Sequence, residues 1–372
     1  MFQYSKLLSL MILVFIMNAC GGGGGGGGGD TEPVEETTPV NRSLNGFLFS
    51  QEPGDIAYLI DVSTGKTILI PNTDWENQND TFPNGVSQYR KSSIQNNHTA
   101  FIVNVLYCKK ENPDALARDL SCIYLQDYNG NYLGGLELLY DVTKVQVSED
   151  MQYAALFRNY NSGSTGREWL EIFSIDGTLI SDRKMDRRKI QWFRNKSLLL
   201  VNGPNFIFTM PLSTDTDYTL TLPENISNGG WINDFDISPD QTQIAFTVAT
   251  ESTAFTSVQA KAYIMDISGN NIRLLADVPN GEAYIASPSW SPDGRWILLE
   301  EGHVSGQDRD TIGTAGNLYV VPSENLGKAF MLTMDDSKRS QEVILLHHDH
   351  DGPGPGTNLS TNSAGENYDW IP

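Results

Sequence analysis

The chain has 372 residues and a formal net charge of −21, from 25 Lys and Arg residues against 46 Asp and Glu residues. This acidity excludes a duplex nucleic-acid binder, because such a protein needs a basic face to displace counterions. Hydrophobic residues make up 39% of the chain and aromatic residues 10%, which excludes wholesale disorder and predicts a folded core.

The N-terminal residues have the pattern of a targeting signal. Lys6 precedes the apolar run 7–17 (LLSLMILVFIM), which is shorter than the roughly 20 residues needed to span a bilayer. The charged start and the short apolar middle predict a secretory signal peptide over residues 1–19. Residues 17–20 (MNAC) resemble a bacterial lipobox, although the first two of them depart from its usual residues. The resemblance implies that Cys20 receives a lipid; an ordinary signal peptide cleaved elsewhere is the alternative.

A tether follows the signal. Residues 21–29 are an unbroken glycine run, and residues 30–43 (DTEPVEETTPVNRS) are acidic and rich in Pro and Thr. Neither stretch can form a core, so we expect residues 20–43 to link the lipid flexibly to a folded body over residues 44–372. Because anionic headgroups would repel so acidic a body, we expect the lipid to be its membrane attachment. Gly21 resembles the residue that follows the cysteine of outer-membrane lipoproteins, and the side of that membrane is left open.

The body contains a repeat. Residues 236–246 (DISPDQTQIAF) and 289–299 (SWSPDGRWILL) are nearly superposable, each with a strand, a polar turn and a second apolar strand. Degenerate copies lie at 93–102, 145–156 and 190–200. A third and a fourth short strand follow each copy, and four strands in about 40–50 residues are typical of a propeller blade. The units resemble the PD40 (WD40-like) repeat of TolB-type β-propellers, which implies an all-β propeller.

The repeats predict six blades of four antiparallel strands. The blades begin near Gly46, Tyr89, Val142, Lys189, Asn233 and Ala286. The first unit lacks its innermost strand, and residues 367–372 (NYDWIP) imitate residues 287–292 (SPSWSP). We therefore expect the C-terminal strand to complete the first blade and close the ring, which protects the sheet edges. A seven-bladed ring that uses residues 343–346 is the alternative.

The connections between strands differ in length. Turns between strands one and two and between strands three and four lie at one end of the blades, here called the turn face, and these turns look uniformly short. The other connections lie at the opposite end, here called the loop face. Most long segments fall there: 72–85, 107–121, 159–167, 250–260, 301–316 and 335–365. Because long loops on a rigid frame usually carry binding, we expect the loop face to be the interaction surface.

Two cysteines flank one long loop. Cys108 ends the second strand of the second blade and Cys122 begins the third. Neighbouring antiparallel strands bring these positions together, so in an oxidising compartment we expect a disulfide; two free thiols are the alternative.

A basic cluster lies at the crossover from the third to the fourth blade, formed by Arg183, Lys184, Arg187, Arg188 and Lys189. In so acidic a protein this cluster could dock an acidic partner or a glycan. A salt-bridged surface turn is the alternative reading.

Three of the five histidines fall in one segment, with the candidate ligands His347, His348, Asp349, His350 and Asp351. Imidazoles and carboxylates could bind a divalent metal. Adjacent histidines diverge, however, and no second ligand group with recognisable spacing accompanies them. We therefore expect a solvated loop and no cofactor, with a divalent metal as the alternative.

Motifs of common enzymes are absent from the sequence, including the Gly-x-Ser-x-Gly elbow, the Walker A loop, His-Glu-x-x-His and the dinucleotide fingerprint. The tryptophans at repeat positions, Trp192, Trp290, Trp296 and Trp370, are expected to pack blades rather than to bind ligands. The first hypothesis is a monomeric, lipid-anchored, non-enzymatic propeller that binds an envelope protein or glycan. An envelope hydrolase or lyase that uses loop carboxylates and the His/Asp segment is the alternative.

Overall fold

The computed structural model describes the following residues, to which all structural statements here refer: 44–52, 56–64, 66–69, 91–92, 101–106, 121–126, 132–138, 142–148, 150, 152–159, 168–185, 190–193, 197–209, 217–251, 258–278, 284–304, 312–313, 317–324, 327–333, 335–346 and 369–371. The chain divides into two units between Arg42 and Ser43.

Short strands account for nearly all regular structure in the described residues. In chain order they are β1 (Phe47–Glu52), β2 (Ile56–Asp61), β3 (Thr67–Leu69), β4 (Lys91–Ser92), β5 (Phe101–Leu106), β6 (Ser121–Gln126), β7 (Tyr132–Leu138), β8 (Val142–Val147), β9 (Tyr153–Asn159), β10 (Glu168–Ser174), β11 (Leu179–Met185), β12 (Ile190–Phe193), β13 (Ser197–Asn202), β14 (Asn205–Thr209), β15 (Tyr218–Thr221), β16 (Trp231–Ile237), β17 (Gln243–Glu251), β18 (Val258–Asp266), β19 (Arg273–Asp277), β20 (Tyr284–Trp290), β21 (Trp296–Val304), β22 (Ile312–Gly313), β23 (Leu318–Pro322), β24 (Phe330–Met331), β25 (Ile344–Leu346) and β26 (Asp369–Ile371). One helical turn, α1 (Glu224–Ser227), precedes β16. In this helix Asn228 ends the turn in the left-handed conformation.

These strands form six sheets that follow one another along the chain. In spatial order the sheets are β26-β1-β2-β3, β4-β5-β6-β7, β8-β9-β10-β11, β12-β13-β14-β15, β16-β17-β18-β19-β24 and β20-β21-β23-β25. Apart from β24, which joins its sheet in parallel, each sheet is a run of four antiparallel neighbours, and this is the blade pattern of a β-propeller. Strand β22 pairs with β21 beside this order. We number them as blades one to six, and the predicted all-β propeller fold is confirmed.

Blade one is assembled from both ends of the body. The register pairs Phe47 with Ile371, Leu48 with Trp370 and Phe49 with Asp369. Strand β26 therefore takes the innermost position, and residues 47–52 form strand two as the repeat predicts. A ring of six blades sealed by this strand stays a prediction.

Residues 343–346, which the seven-bladed alternative would use, contain strand β25 of blade six. In β25, Ile344 pairs with Val320 and Leu346 pairs with Leu318, so this strand is the outer strand of blade six. Within the described residues it starts no further blade, because its partner β23 already belongs to that sheet.

The core lies in layers between successive blades. Between blades four and five, Phe206 packs edge-on against Phe235 and Phe246, with ring centroids 5.7 and 5.4 Å apart. Between blades five and six, Trp290 and Tyr319 are buried with aliphatic residues of both sheets. Apolar residues recur on both faces of the middle strands because both faces pack against another sheet.

One strand that comes from the chain segment of blade six pairs with the preceding blade, blade five. β24 arises in the connection between β23 and β25 of blade six, yet it pairs in parallel with β19 of blade five, matching Phe330 with Ala276. Leu332 N–H then donates to Asp277 O at 3.0 Å. Phe330 and Leu332 are buried, so this strap covers the outer edge of blade five.

The connection lengths correct one expectation. Residues 210–217 join strands three and four of blade four, and residues 323–343 do so in blade six, so the turn face is not uniformly short. Residues 335–343, which the sequence assigns to the loop face within 335–365, therefore belong to a turn-face connection. In blade four the loop-face hairpin is reduced to Gly203-Pro204, where Gly203 has φ 58°. A two-residue hairpin of this kind needs a residue with positive φ. The long connection of blade four, residues 210–217, therefore lies on the turn face.

Among the residues that the structure describes, no helix has the length and apolar character needed to cross a membrane.

Candidate functional site

Most of the residues predicted from sequence to carry chemistry lie outside the described residues. These are Cys20, Cys108, Arg187, Arg188, Lys189 and the segment 347–351. Cys122 lies in β6 opposite Val105, and with Cys108 outside the described residues their disulfide stays a prediction. Arg183 and Lys184 lie in β11, opposite Leu170 and Trp169. Within the described ranges, no group of three or more His, Cys, Asp or Glu residues is placed to hold a metal ion.

The turn face is built from a repeated hydrogen-bonded turn. In blade six, Ser291 Oγ donates to Asp293 Oδ1 at 2.7 Å and accepts the N–H of Trp296 at 2.9 Å. Arg295 N–H donates to the same carboxylate at 3.1 Å. The Ser and Asp side chains thus replace the sheet partners that the backbone loses at the turn. The same arrangement recurs at Ser148, Asp150 and Tyr153, and at Ser238, Asp240 and Gln243.

These turns keep their carboxylates ionised. Burial acts to raise the pKa of the Asp293 carboxyl, but hydrogen bonds from Ser291 and Arg295 outweigh it and lower that pKa below its usual value. In the turns between strands three and four, the Ser174 hydroxyl lowers the pKa of Asp176, and the Ser63 hydroxyl lowers the pKa of Asp61. Because their oxygens bind their own turns, these aspartates serve the frame of the turn face.

A second repeated feature links the innermost strands of neighbouring blades, and sequence reasoning missed it. Gln191, Asp236 and Ser289 occupy equivalent positions in the innermost strands of blades four, five and six. Each side-chain oxygen accepts a backbone N–H from the innermost strand of the following blade. The pairs are Ile237 to Gln191 Oε1 at 3.2 Å, Trp290 to Asp236 Oδ2 at 2.7 Å and Trp370 to Ser289 Oγ at 3.0 Å. We call these contacts the axial latches.

The axial latches solve a problem of unpaired backbone. The innermost strand of each blade is a sheet edge, so half of its N–H and C=O groups have no partner within the sheet. A polar side chain from the preceding blade supplies one acceptor. Two tryptophans add a donor in return, because Trp192 Nε1–H donates to Gln146 O at 3.0 Å and Trp290 Nε1–H donates to Asp236 O at 3.2 Å. The available signal was a polar residue two positions before the turn, as Asp236 stands before Ser238 and Ser289 before Ser291.

The expectation that the repeat tryptophans pack blades agrees with their burial. Trp192, Trp290 and Trp296 have 4%, 4% and 5% of their surface exposed, and Trp370 has 1%. With so little ring surface open, none of them is a ligand platform in this conformation.

At the loop face, the described part of blade six forms a rigid base for the connection that follows β21. Glu301 Oε2 accepts hydrogen bonds from Asn317 Nδ2 at 2.8 Å and from the Tyr319 hydroxyl at 2.9 Å. Burial first, and the neighbouring Glu301 carboxylate second, raise the pKa of Tyr319, so this phenol stays protonated and remains a donor. Asn317, which follows the connection 305–316, is thereby linked to β21, and β22 within the connection also pairs with β21, with Ile312 opposite Val304.

Several solved structures are similar in fold to this chain. A protein described as TolB from Agrobacterium tumefaciens aligns with 12% identity and a TM-score of 0.47, over 82% of this chain and 89% of that one. The Dos1 propeller aligns with 9% identity and a TM-score of 0.35, over 57% of this chain and 56% of that one. The tricorn protease aligns with 15% identity and a TM-score of 0.38, over 72% of this chain but only 25% of that one.

All three TM-scores lie below 0.5, so the fold assignment rests on the strand pairings of the chain itself. No protein-family model matches the chain, and no curated protein matches it either. The resemblance to PD40 repeats accordingly rests on the repeat residues alone.

Proposed function

We propose that this chain is a lipid-anchored propeller of the bacterial cell envelope that binds an envelope protein or glycan through its loop face, without catalysing a reaction. The observation that carries the proposal is the contrast between a fixed frame and long connections. Axial latches join blades four, five, six and one, and buried apolar layers accompany them. The long connections 70–90, 107–120 and 160–167 link strand ends at the loop-face side of blades one to three. Long loops on a rigid frame are a common site of binding.

The proposal assigns the loop face, so a matched pair of loop replacements tests it. Residues 160–167 join strands two and three of blade three on the loop face, and residues 210–217 join strands three and four of blade four on the turn face. The two connections are equal in length, and each can be replaced by a short Gly-Asn turn. Crosslinking in intact envelopes, followed by mass spectrometry, should show partners of the parent lost in the 160–167 variant and kept in the 210–217 variant. Loss in both variants, or in neither, would contradict the loop-face assignment.

The anchor is a separate part of the proposal, supported by the lipobox resemblance at residues 17–20 and by the glycine run that follows it. Replacing Cys20→Ser should leave the protein soluble or unprocessed in fractionated cells. A variant that still partitions into membranes like the parent would remove the lipoprotein assignment.

A disulfide between Cys108 and Cys122 would fit the same compartment. If Cys108 and Cys122 form a disulfide in the mature protein, mass-based alkylation should find neither thiol free, and reduction should lower the melting temperature. Two alkylatable thiols in natively secreted protein would show that this pair is reduced.

A further inference from the structure

Strand β26 lies in a groove, here called the seat, that is formed by Asn45, β1, β20 and β21. Its backbone pairs with Phe47, Leu48 and Phe49 of β1, and its Trp370 N–H donates to Ser289 Oγ of β20 at 3.0 Å. The indole N–H of Trp370 donates to Asn45 O at 2.9 Å. The hydrogen bonds that the structure describes for β26 thus come from Ser289 of blade six and from the first residues of the body, Asn45 and β1.

The seat also has an apolar pocket. The Trp370 side chain is 1% exposed and packs in one buried cluster with Leu48 of β1 and with Trp296 and Leu298 of β21. A buried Trp removes about 150–250 Å² from water, so this side chain provides a large apolar contact for a strand of three residues. The seat therefore selects an extended peptide with Trp at its centre.

The walls of the seat are held without β26. Strand β1 pairs with β2 along all six of its residues, from Phe47 with Asp61 to Glu52 with Ile56. Strand β20 pairs with β21, and β21 pairs with β23. When β26 leaves, both walls keep a sheet partner, and the site can receive another extended segment by strand addition.

We propose that this seat is a peptide-binding site, filled in cis by the chain's own C-terminal strand, and that the same strand from a second copy is the partner that it fits in trans. The argument is chemical identity: a second copy presents the same Asp-Trp-Ile segment and makes the same pairings. Exchange of an identical element is a low-cost route to association. The inference goes beyond the proposed function, because the loop face takes no part in it.

The cis strand is the competitor in this equilibrium. Because β26 belongs to the same chain as its seat, it competes as an intramolecular ligand, at an effective concentration on the order of millimolar. In the parent chain a trans peptide therefore binds measurably only near that concentration. Weakening the cis strand without changing the seat should lower the peptide concentration required.

The experiment uses the full chain and a labelled synthetic peptide of residues 367–372 (NYDWIP). Fluorescence anisotropy should give an apparent Kd at least tenfold lower for the Trp370→Ala protein than for the parent. Trp370→Phe, which keeps the apolar ring and loses the indole N–H, should fall between the two. The control peptide NYDAIP should bind none of the three proteins.

Thermal melts establish that each variant is folded. Trp370→Phe decides the question where Trp370→Ala does not fold. Equal binding of NYDWIP to parent and folded variants, or equal binding of NYDWIP and NYDAIP, would overturn the proposal. Loss of partner binding in the loop-replacement experiment has no bearing on this result, so the two proposals fail separately.

Discussion

The seam between blades five and six and the seam between blades six and one are closed in different ways. At the first seam, a carboxylate of Asp236 accepts the Trp290 N–H at 2.7 Å, and Arg273 Nη2 donates to Ser323 O at 2.9 Å. The strap β24 adds a strand from blade six to blade five. At the second seam, the neutral hydroxyl of Ser289 accepts the Trp370 N–H at 3.0 Å, and the closing strand has three residues.

The comparison shows where the energy of each seam lies. At the first seam, the stabilising energy is shared by the Asp236 latch, the strap β24 and a continuous apolar layer. Blades five and six, which supply these contacts, follow one another in the chain. The second seam also has a buried apolar layer, which includes Leu48, Ile60 and Leu298, but its closing strand depends on one buried Trp. Since a short strand contributes few hydrogen bonds of about 1 kcal/mol each, burial of Trp370 is what holds it.

The largest effect is expected at the closing strand. Trp370→Ala should lower the free energy of unfolding by about 3 to 5 kcal/mol, because it empties a pocket that neighbouring residues cannot refill. Deleting residues 367–372 should do at least as much, while deleting the equally long stretch 31–36 of the tether should change little. Thermal melts beside the parent measure both. If the C-terminal deletion melts like the tether deletion, the ring is not sealed by this strand.

The second-largest loss of stability is expected for a change in the strap β24. Phe330→Ala removes a side chain that is 1% exposed and should cost about 3 kcal/mol, because the strap then loses its anchor between blades five and six. Met331, its half-buried neighbour in β24, is the matched control and should cost less than about 1 kcal/mol as Ala. Chemical denaturation measures both variants. Equal losses would show that Phe330 has no special role in joining the two blades.

Changes in the axial latches should lower the free energy of unfolding by less than changes at Trp370 or Phe330. Asp236→Ala removes the acceptor for both Trp290 N–H and Gln191 Nε2 and should cost about 2 kcal/mol, since bonds to charged groups exceed neutral ones. Asp236→Asn keeps one acceptor oxygen and should cost about half as much. Ser289→Ala, at the equivalent position of the other seam, should cost about 1 kcal/mol. A larger loss for Ser289→Ala than for Asp236→Ala would reverse the comparison.

The smallest effect concerns acid stability of the turn face. The folded pKa of Asp293 lies below its unfolded value, so ionisation favours the folded state. The contribution is present above the unfolded pKa of about 4 and is lost as the pH falls through the lower, folded value. Asp293→Asn keeps an acceptor and does not titrate, so its melting temperature should fall less steeply than the parent's below pH 4. Parallel pH profiles for the two proteins would argue against this linkage.

Much of the fold could be predicted from the chain alone because the repeat encodes local structure. The Ser-Pro-Asp turn at residues 291–293 fixes where a strand ends, since Pro sets φ and the Ser and Asp side chains bind the local backbone. Apolar runs on either side then predict paired strands. The start of each blade lies close to the predicted residue, as at Val142 for β8.

The candidate site could be predicted only in outline. The loop face follows from strand order, but blade four reverses its connection lengths because Gly203-Pro204 forms a tight hairpin where other blades have a longer loop. The basic cluster and the segment 347–351 were singled out by composition, which says nothing about what such residues touch.

By itself, the sequence determined the local elements of this protein: the signal pattern, the tether, the turns and the strands, because each depends on residues near one another in the chain. Tertiary structure alone decided which distant elements meet. Nothing local to residues 330–332 predicts a parallel pairing with β19, and nothing local to Ser289 predicts that it accepts the N–H of Trp370. These contacts form because each blade leaves an edge of unpaired backbone groups and an apolar face, and the nearest complementary groups are supplied by another blade.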